Sequence, residues 1–423
     1  MTVAGIPTEV QLVFEVMTCQ ASQVAQTPIT TPSSCNYFRK WGTYHSFEYA
    51  ADEQDLEAHM VDTTVEYVGR APLVPEILTG CRKSPIMAVG INPNLPGWWA
   101  TQRGALNPLF RSFRDYAHYF RYRGSSKLRL DEATYLQYGG GPGDDPFSTV
   151  DLAVPVDSSG RRMVQAERAP QAMYLAYQGL LDDLATARGW PAGALTVGED
   201  LSYGNMIASP SAKWTTHPDA GVPAMTETER IGIVTECFRN RRYFLRQLFQ
   251  SLPRIILVFS QSTTNAFVGE MAQEFSVGHP QHGEPVTDLL KREIRLTYGH
   301  LSGLTLDARV IFAPHPTGDP DAYTAVHATL VDQLTAEVQS AGITLNPDTG
   351  HLHRAPGRCE FCSVFDIGGC AYLNELAPLP GAEPTATAAR PTVNDSAAAS
   401  SLLNSTHIGQ SPVRDIWRDT DDD

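Results

Sequence analysis

"TETERIGIVTECFRNRRYFLRQLFQSLPRIILVFS" (Thr226–Ser260) decides the fold. Thr226 and Glu229 make a capping box at the start of a helix. Ile233, Cys237, Phe244, Leu245 and Leu248 fall on one face of it. Pro253 stops the helix, and "RIILVFS" (254–260) follows as a continuous apolar run. A short run of this kind reads as a strand buried on both faces. Three others match it: "PIMAVG" (85–90), "YGNMIASP" (203–210) and "ARVIFAPH" (308–315). Strands alternating with helices predict an α/β fold, a mostly parallel sheet covered on both sides. Ligands of such sheets bind beyond the carboxyl ends of the strands. The polar residues stand there: Asn92 after the first run, Ser260 and Gln261 after the third, His315 after the fourth.

The chain has 423 residues and is 42% hydrophobic, enough for a substantial core. No apolar run approaches the about 20 residues of a membrane span. The N-terminus carries no basic stretch followed by an apolar one, so a cytoplasmic protein with no membrane partner is expected. Residues 1–75 contain the β-like runs "VQLVFEVM" and "TTVEYVG" and read as an N-terminal extension. Residues 76–376 form the main domain, with an insertion at about 100–200. Residues 377–423 are small, polar, proline-containing and acidic, and read as a disordered tail. A net charge of −15 argues against nucleic acid, but residues 101–130 carry seven bases against one acid. A local basic face is therefore compatible with the acidic total.

Asn92, a turn asparagine beside a proline, says little alone, and a loop histidine such as His315 is more often structural. Together they form a pair that suits hydrolysis with an anionic leaving group. A side-chain amide orients a water, and an imidazole hydrogen-bonds the developing anion. Asn205 adds an amide that reads a base edge, or else a satisfied core amide.

"VGINPN" (89–94), "SYGNMIASPSAKW" (202–214) and "HPT" (315–317) resemble the ordered motifs of the uracil-DNA glycosylase superfamily. "TECFRNRRYFLRQLFQSLPRIILVFSQST" (235–263) resembles its iron–sulfur branch, whereas "GINP" is more like the mismatch-specific and single-strand-selective branches. The resemblance implies a three-layer α/β/α sandwich around a short, mostly parallel sheet. It also implies an enzyme that flips a nucleotide out of DNA and hydrolyses its N-glycosidic bond, leaving an abasic site. Asn92 would then orient the water and His315 stabilise the departing base. Asn205, Ser260, Gln261 and Thr317 would line the base site, and Trp98, Trp99 or Phe110 would stack on the base. Family members often carry an apolar wedge after the histidine motif; here Gly318, Asp319 and Pro320 stand there. Strict uracil enzymes wall off C5 of the pyrimidine with a tyrosine at the position of Asn94. A smaller residue opens that space, so the expected substrate is a bulky C5-modified cytosine, such as glucosylated 5-hydroxymethylcytosine, removed in phage defence. The alternatives are a housekeeping uracil-DNA glycosylase of base excision repair and a non-catalytic nucleic-acid-binding protein.

"FRSFRDYAHYFRYRGSSKLR" (110–129) interleaves aromatics with arginines. Arg111, Arg114, Arg121 and Arg123 read as DNA-binding, the aromatics stacking on bases. An amphipathic helix with a core face is the equal alternative. The seven cysteines include Cys359, Cys362 and Cys370 in a C-x2-C-x7-C spacing. Cys237 resembles a cluster ligand of the iron–sulfur branch. Four thiolates suit a [4Fe–4S] cluster or zinc; the resemblance favours the cluster. Cys81 is a fifth candidate, and His351 and His353 are spare ligands for zinc. A monomer is expected.

Overall fold

The structure is a computed structural model. It describes residues 8–17, 19, 47–49, 65–67, 75–93, 116–117, 120–121, 123, 127–131, 149–151, 163–167, 172–209, 214, 225–301, 304–357 and 359–365. In chain order come α1 (Thr8–Met17), β1 (Phe47–Tyr49), β2 (Val65–Tyr67) and β3 (Ile86–Gly90). The insertion holds β4 (Lys127–Asp131), β5 (Thr149–Asp151) and β6 (Met163–Glu167), then α2 (Ala172–Ala187). β7 (Leu201–Asn205), α3 (Glu227–Val234), α4 (Tyr243–Ser251), β8 (Ile255–Phe259) and α5 (Gln261–Met271) follow. The rest is β9 (Phe275–Val277), α6 (Val286–Leu289), β10 (Arg295–Leu301), β11 (Leu304–Ala313), α7 (Pro320–Ser340) and α8 (Phe361–Val364).

The main sheet runs β7-β3-β8-β11-β10-β9. Its first four strands are parallel, and β10 and β9 extend it antiparallel. Every residue of β3, β7 and β8 is buried, as strands covered on both faces require. On one face Met87, Val89, Ile256, Val258, Val310 and Phe312 meet residues of α3, α4 and α5. On the other, Ile86, Ala88, Leu257, Phe259, Ile311 and Ala313 meet α2 and α7. The three layers expected from the sequence are therefore present. β4, β6 and β5 form a separate antiparallel sheet, and β1 pairs with β2.

Several elements differ from expectation. "VQLVFEVM" is helical and lies in α1, where Val10, Val13 and Val16 recur every third residue and are buried. The helix opened by the Thr226–Glu229 capping box is interrupted. Residues Thr235–Asn240 form a π-helical turn, and Arg242 takes φ 58° before α4 begins. All five apolar residues named on its face are still buried. The second strand runs from Leu201 to Asn205, ending where "YGNMIASP" was expected to continue. The tail 377–423 lies outside the described residues, and no described helix is long and apolar enough to cross a membrane.

Candidate active site at the carboxyl ends of the strands

From β3 the chain crosses to β7 on one side and returns to β8 on the other. The reversal opens a crevice beyond the ends of β3 and β8. Gly90 pairs with Asn205, Val89 with Val258, and Ala313 with Phe259. Asn205, Gly90, Phe259 and Ala313 thus form one row across four strands. Asn92 and His315 each stand two residues beyond it. Only β8 separates their strands, so two strand spacings, about 10 Å, part the two positions. Alternation gives Asn205, Asn92 and His315 the same parity, that of the α2 and α7 face. Asn92 is buried and His315 half-buried.

His315 has a defined tautomer. Its Nδ1 accepts the backbone N–H of Gly318 at 2.9 Å and of Thr317 at 3.2 Å, with Thr317 Oγ1 also at 3.2 Å. Two donors at Nδ1 require a lone pair there, so the ring proton sits on Nε2. Burial lowers the imidazole pKa and favours the neutral ring. The expected wedge position is a helix start: Asp319 caps α7, its Oδ1 accepting from Ala322 N at 3.3 Å, and Pro320 takes the first turn.

Asn205 projects over Gly90, where an added Cβ would lie 2.8 Å from Asn205 Oδ1 and against the Tyr203 hydroxyl. Any side chain at residue 90 would displace both groups. Tyr203 donates to Asn205 Oδ1 at 2.7 Å. Tyr203 and Gly90 went unnoticed in the sequence, although a strand's period of two places Tyr203 beside Asn205.

Ser260 takes φ 84° and ψ 152°, a region that favours glycine, at the turn from β8 into α5. Its hydroxyl accepts from Thr263 N at 3.1 Å and capping occupies it. Gln261 bonds Asn265 Oδ1 and Glu284 O, both at 2.9 Å, and accepts from Val286 N. These two residues brace the crevice wall. Thr317 is exposed and supports His315. Asn94, Trp98, Trp99, Phe110, Arg111 and Arg114 lie outside the described residues.

Two of the basic residues are placed otherwise than expected. Arg121 is 6% exposed and binds Glu199 Oε1 at 2.6 Å and Gly198 O at 2.9 Å. Arg123 is 8% exposed and paired with Glu76. Tyr116 and Phe120 beside them are fully buried. Guanidinium groups spent on carboxylates inside the fold are not offered to phosphate, so Arg121 and Arg123 are corrected to structural ion pairs.

The described thiols gather at the opposite end of the sheet. Cys81 precedes β3, and Cys359 and Cys362 flank the start of α8. Arg82 stacks on Phe361, 3.8 Å from the ring centroid. Lys83 Nζ donates to Gln250 O and, at 2.8 Å, to Pro356 O. Burial pushes the Cys359 thiol pKa up, reinforced by Glu9, Cys362 and Cys81 and opposed by Lys83. Cys237 lies elsewhere, within the apolar cluster of the α3–α5 face. Cys370 is outside the described residues. Among those described, no three His, Cys, Asp or Glu side chains stand close enough to hold one ion. His351 Nδ1 is engaged by Asp200 at 2.9 Å.

No protein-family model matches this chain, and no curated protein matches it. Function is therefore argued from the crevice and from the motifs that line it.

Proposed function

We propose that this protein is a DNA glycosylase that hydrolyses the N-glycosidic bond of a flipped, modified pyrimidine. The observation that carries the reading is the placement of Asn92 and His315, level with each other across β8 at the switch point, with the His315 proton on Nε2. Asn92 holds water against C1′. As the C1′–N1 bond breaks, its electron pair leaves with the base, and His315 Nε2–H donates to the carbonyl oxygen on which that charge collects. The water oxygen adds to C1′ and releases a proton, leaving an abasic site. Asn205 reads the far edge of the base. A C5 substituent is accommodated through the small Asn94 of the resemblance, which favours a defence enzyme of the cytoplasm acting on phage DNA.

A [4Fe–4S] cluster fits the thiols by donor type and by their shared charge environment. Cys359, Cys362 and Cys370 would hold it together with Cys81, in place of the expected Cys237. Arg82 and Lys83 would offset the thiolate charge, and zinc is the alternative metal. Bound there, it supplies a cross-link between the segment after Leu352 and the loop before β3. Cys81→Ser should remove at least half of the iron and its visible absorbance from the purified protein, and Cys237→Ser should leave both intact. The opposite pattern would restore Cys237, and a colourless protein with stoichiometric zinc would replace the cluster.

The activity is tested by incubating DNAs containing uracil or glucosylated 5-hydroxymethylcytosine with the protein, cleaving abasic sites with alkali, and identifying released bases by mass spectrometry. Strand cleavage that depends on a modified base is expected. Binding without release from any DNA would leave a non-catalytic nucleic-acid-binding protein.

A further inference from the structure

We propose that Tyr203 sets the base preference of this site by fixing the Asn205 amide with its NH2 toward the crevice, selecting pyrimidines with a carbonyl at C4 over those with an amino group. The inference rests on the glycosylase reading and narrows it.

The geometry has three parts. Asn205 lies at the carboxyl end of β7, 8% exposed, in the row from which Asn92 and His315 project. The Tyr203 hydroxyl donates to its Oδ1 at 2.7 Å. Among the described residues that hydroxyl makes no other hydrogen bond, so turning the amide over would bring two donors to the oxygen and leave the buried phenol proton without an acceptor. That arrangement is costly, and the amide orientation is fixed by chemistry. Nδ2, in contrast, has no protein partner among the described residues.

The tyrosine is itself immobile. Its ring is 6% exposed and packs edge-on against Tyr174, centroids 6.2 Å apart at 87°, and against Tyr177 at 5.9 Å. Gly90 leaves the room both groups need. Burial raises the phenol pKa, so it stays a donor at every working pH.

A presented NH2 pairs with the O4 carbonyl of a uracil-type base. Against the N4 amino group of cytosine it sets donor to donor, both desolvated. Sites that read by paired polar groups reject the unmatched analogue strongly, here by about 10²-fold or more. This moves the expected substrate from glucosylated 5-hydroxymethylcytosine to a uracil-type base, with the C5 position left open.

The test uses the full chain with oligonucleotides carrying one 5-hydroxymethyluracil or one 5-hydroxymethylcytosine. Release is measured in single turnover, and binding with non-cleavable 2′-fluoroarabino versions of both. Wild type should favour the uracil type by about 10²-fold in both readouts. Tyr203→Phe keeps the ring and its packing, and should lower that ratio roughly tenfold by freeing the amide to turn. Asn205→Ala should bring it near one. A merely structural role for Tyr203 would change stability and absolute rates but not the ratio. Equal or greater preference for the cytosine type, or an unchanged ratio in Tyr203→Phe, overturns the proposal while any base release upholds the glycosylase. Selective binding without release overturns the glycosylase and upholds the selection. Neither binding nor release removes both.

Discussion

His315→Ala is expected to slow base release by about 10²–10³-fold, the usual loss for one preorganised donor to a developing anion. DNA affinity should change much less, because the ground-state base has not yet acquired the charge that Nε2–H meets. Two backbone donors at Nδ1 hold the ring, and nothing in the site must reorganise when the bond breaks. The pH profile carries a second expectation. Burial depresses the His315 pKa, so the folded protein keeps a neutral imidazole below the ordinary value of 6.5. Single-turnover release should stay flat from pH 8 down through 6.5 and fall only below it. An acid limb centred at or above 6.5, absent in His315→Ala, would show that the ring is not held neutral. Full activity in His315→Ala would remove the residue from the reaction.

The sheet was legible because its strands are buried on both faces. Such a strand must be apolar throughout, and β3 and β8 stand out as unbroken runs between polar ends. Function was legible to the same degree, since Asn92 and His315 follow those runs directly. β10 and β9 were not anticipated: "RLTYGHL" mixes polar and apolar residues at the sheet's far edge. α1 was misread because Val and Phe favour strands, while burial of Val10, Val13 and Val16 follows a helical repeat.

Charge was the least readable feature. Arg121 and Arg123 look identical in sequence to arginines that face phosphate, and only their distance from Glu199 and Glu76 in the fold separates the cases. These carboxylates lie 78 and 47 positions from their partners in the chain. The π-helical turn at Thr235–Asn240 has no glycine or proline to announce it. Tyr203 required knowing that "SYGN" is strand to its last residue, which sets residues 203 and 205 on one face.

Asp200→Ala is expected to cost on the order of 3 kcal/mol of stability, through three bonds lost at once. Asp200 has no exposed surface and stands just before β7. Its carboxylate accepts from Thr196 N at 2.8 Å, Leu352 N at 2.7 Å and His351 Nδ1 at 2.9 Å. It thereby ties the segment leading to Cys359 onto the sheet, beside Arg354 and Arg121, which share Glu199. Removing it leaves buried donors with no acceptor. The hydrogen bond to Asp200 chiefly raises the His351 pKa; burial opposes it, Glu199 adds to it and Arg354 subtracts. A raised folded pKa means that the folded state holds its proton more tightly than the unfolded chain. The stabilisation is therefore complete below the unfolded value of about 6.5 and is lost as pH rises through the folded pKa. Urea midpoints measured from pH 5.5 to 8.5 should show this term for wild type and lack it in His351→Gln. Asp200→Asn, which keeps the volume, should flatten the same term while sparing most of the packing. An identical pH slope in wild type and His351→Gln would show that the pair does not titrate, and a loss well under 1 kcal/mol in Asp200→Ala would show that the clamp does not hold the segment.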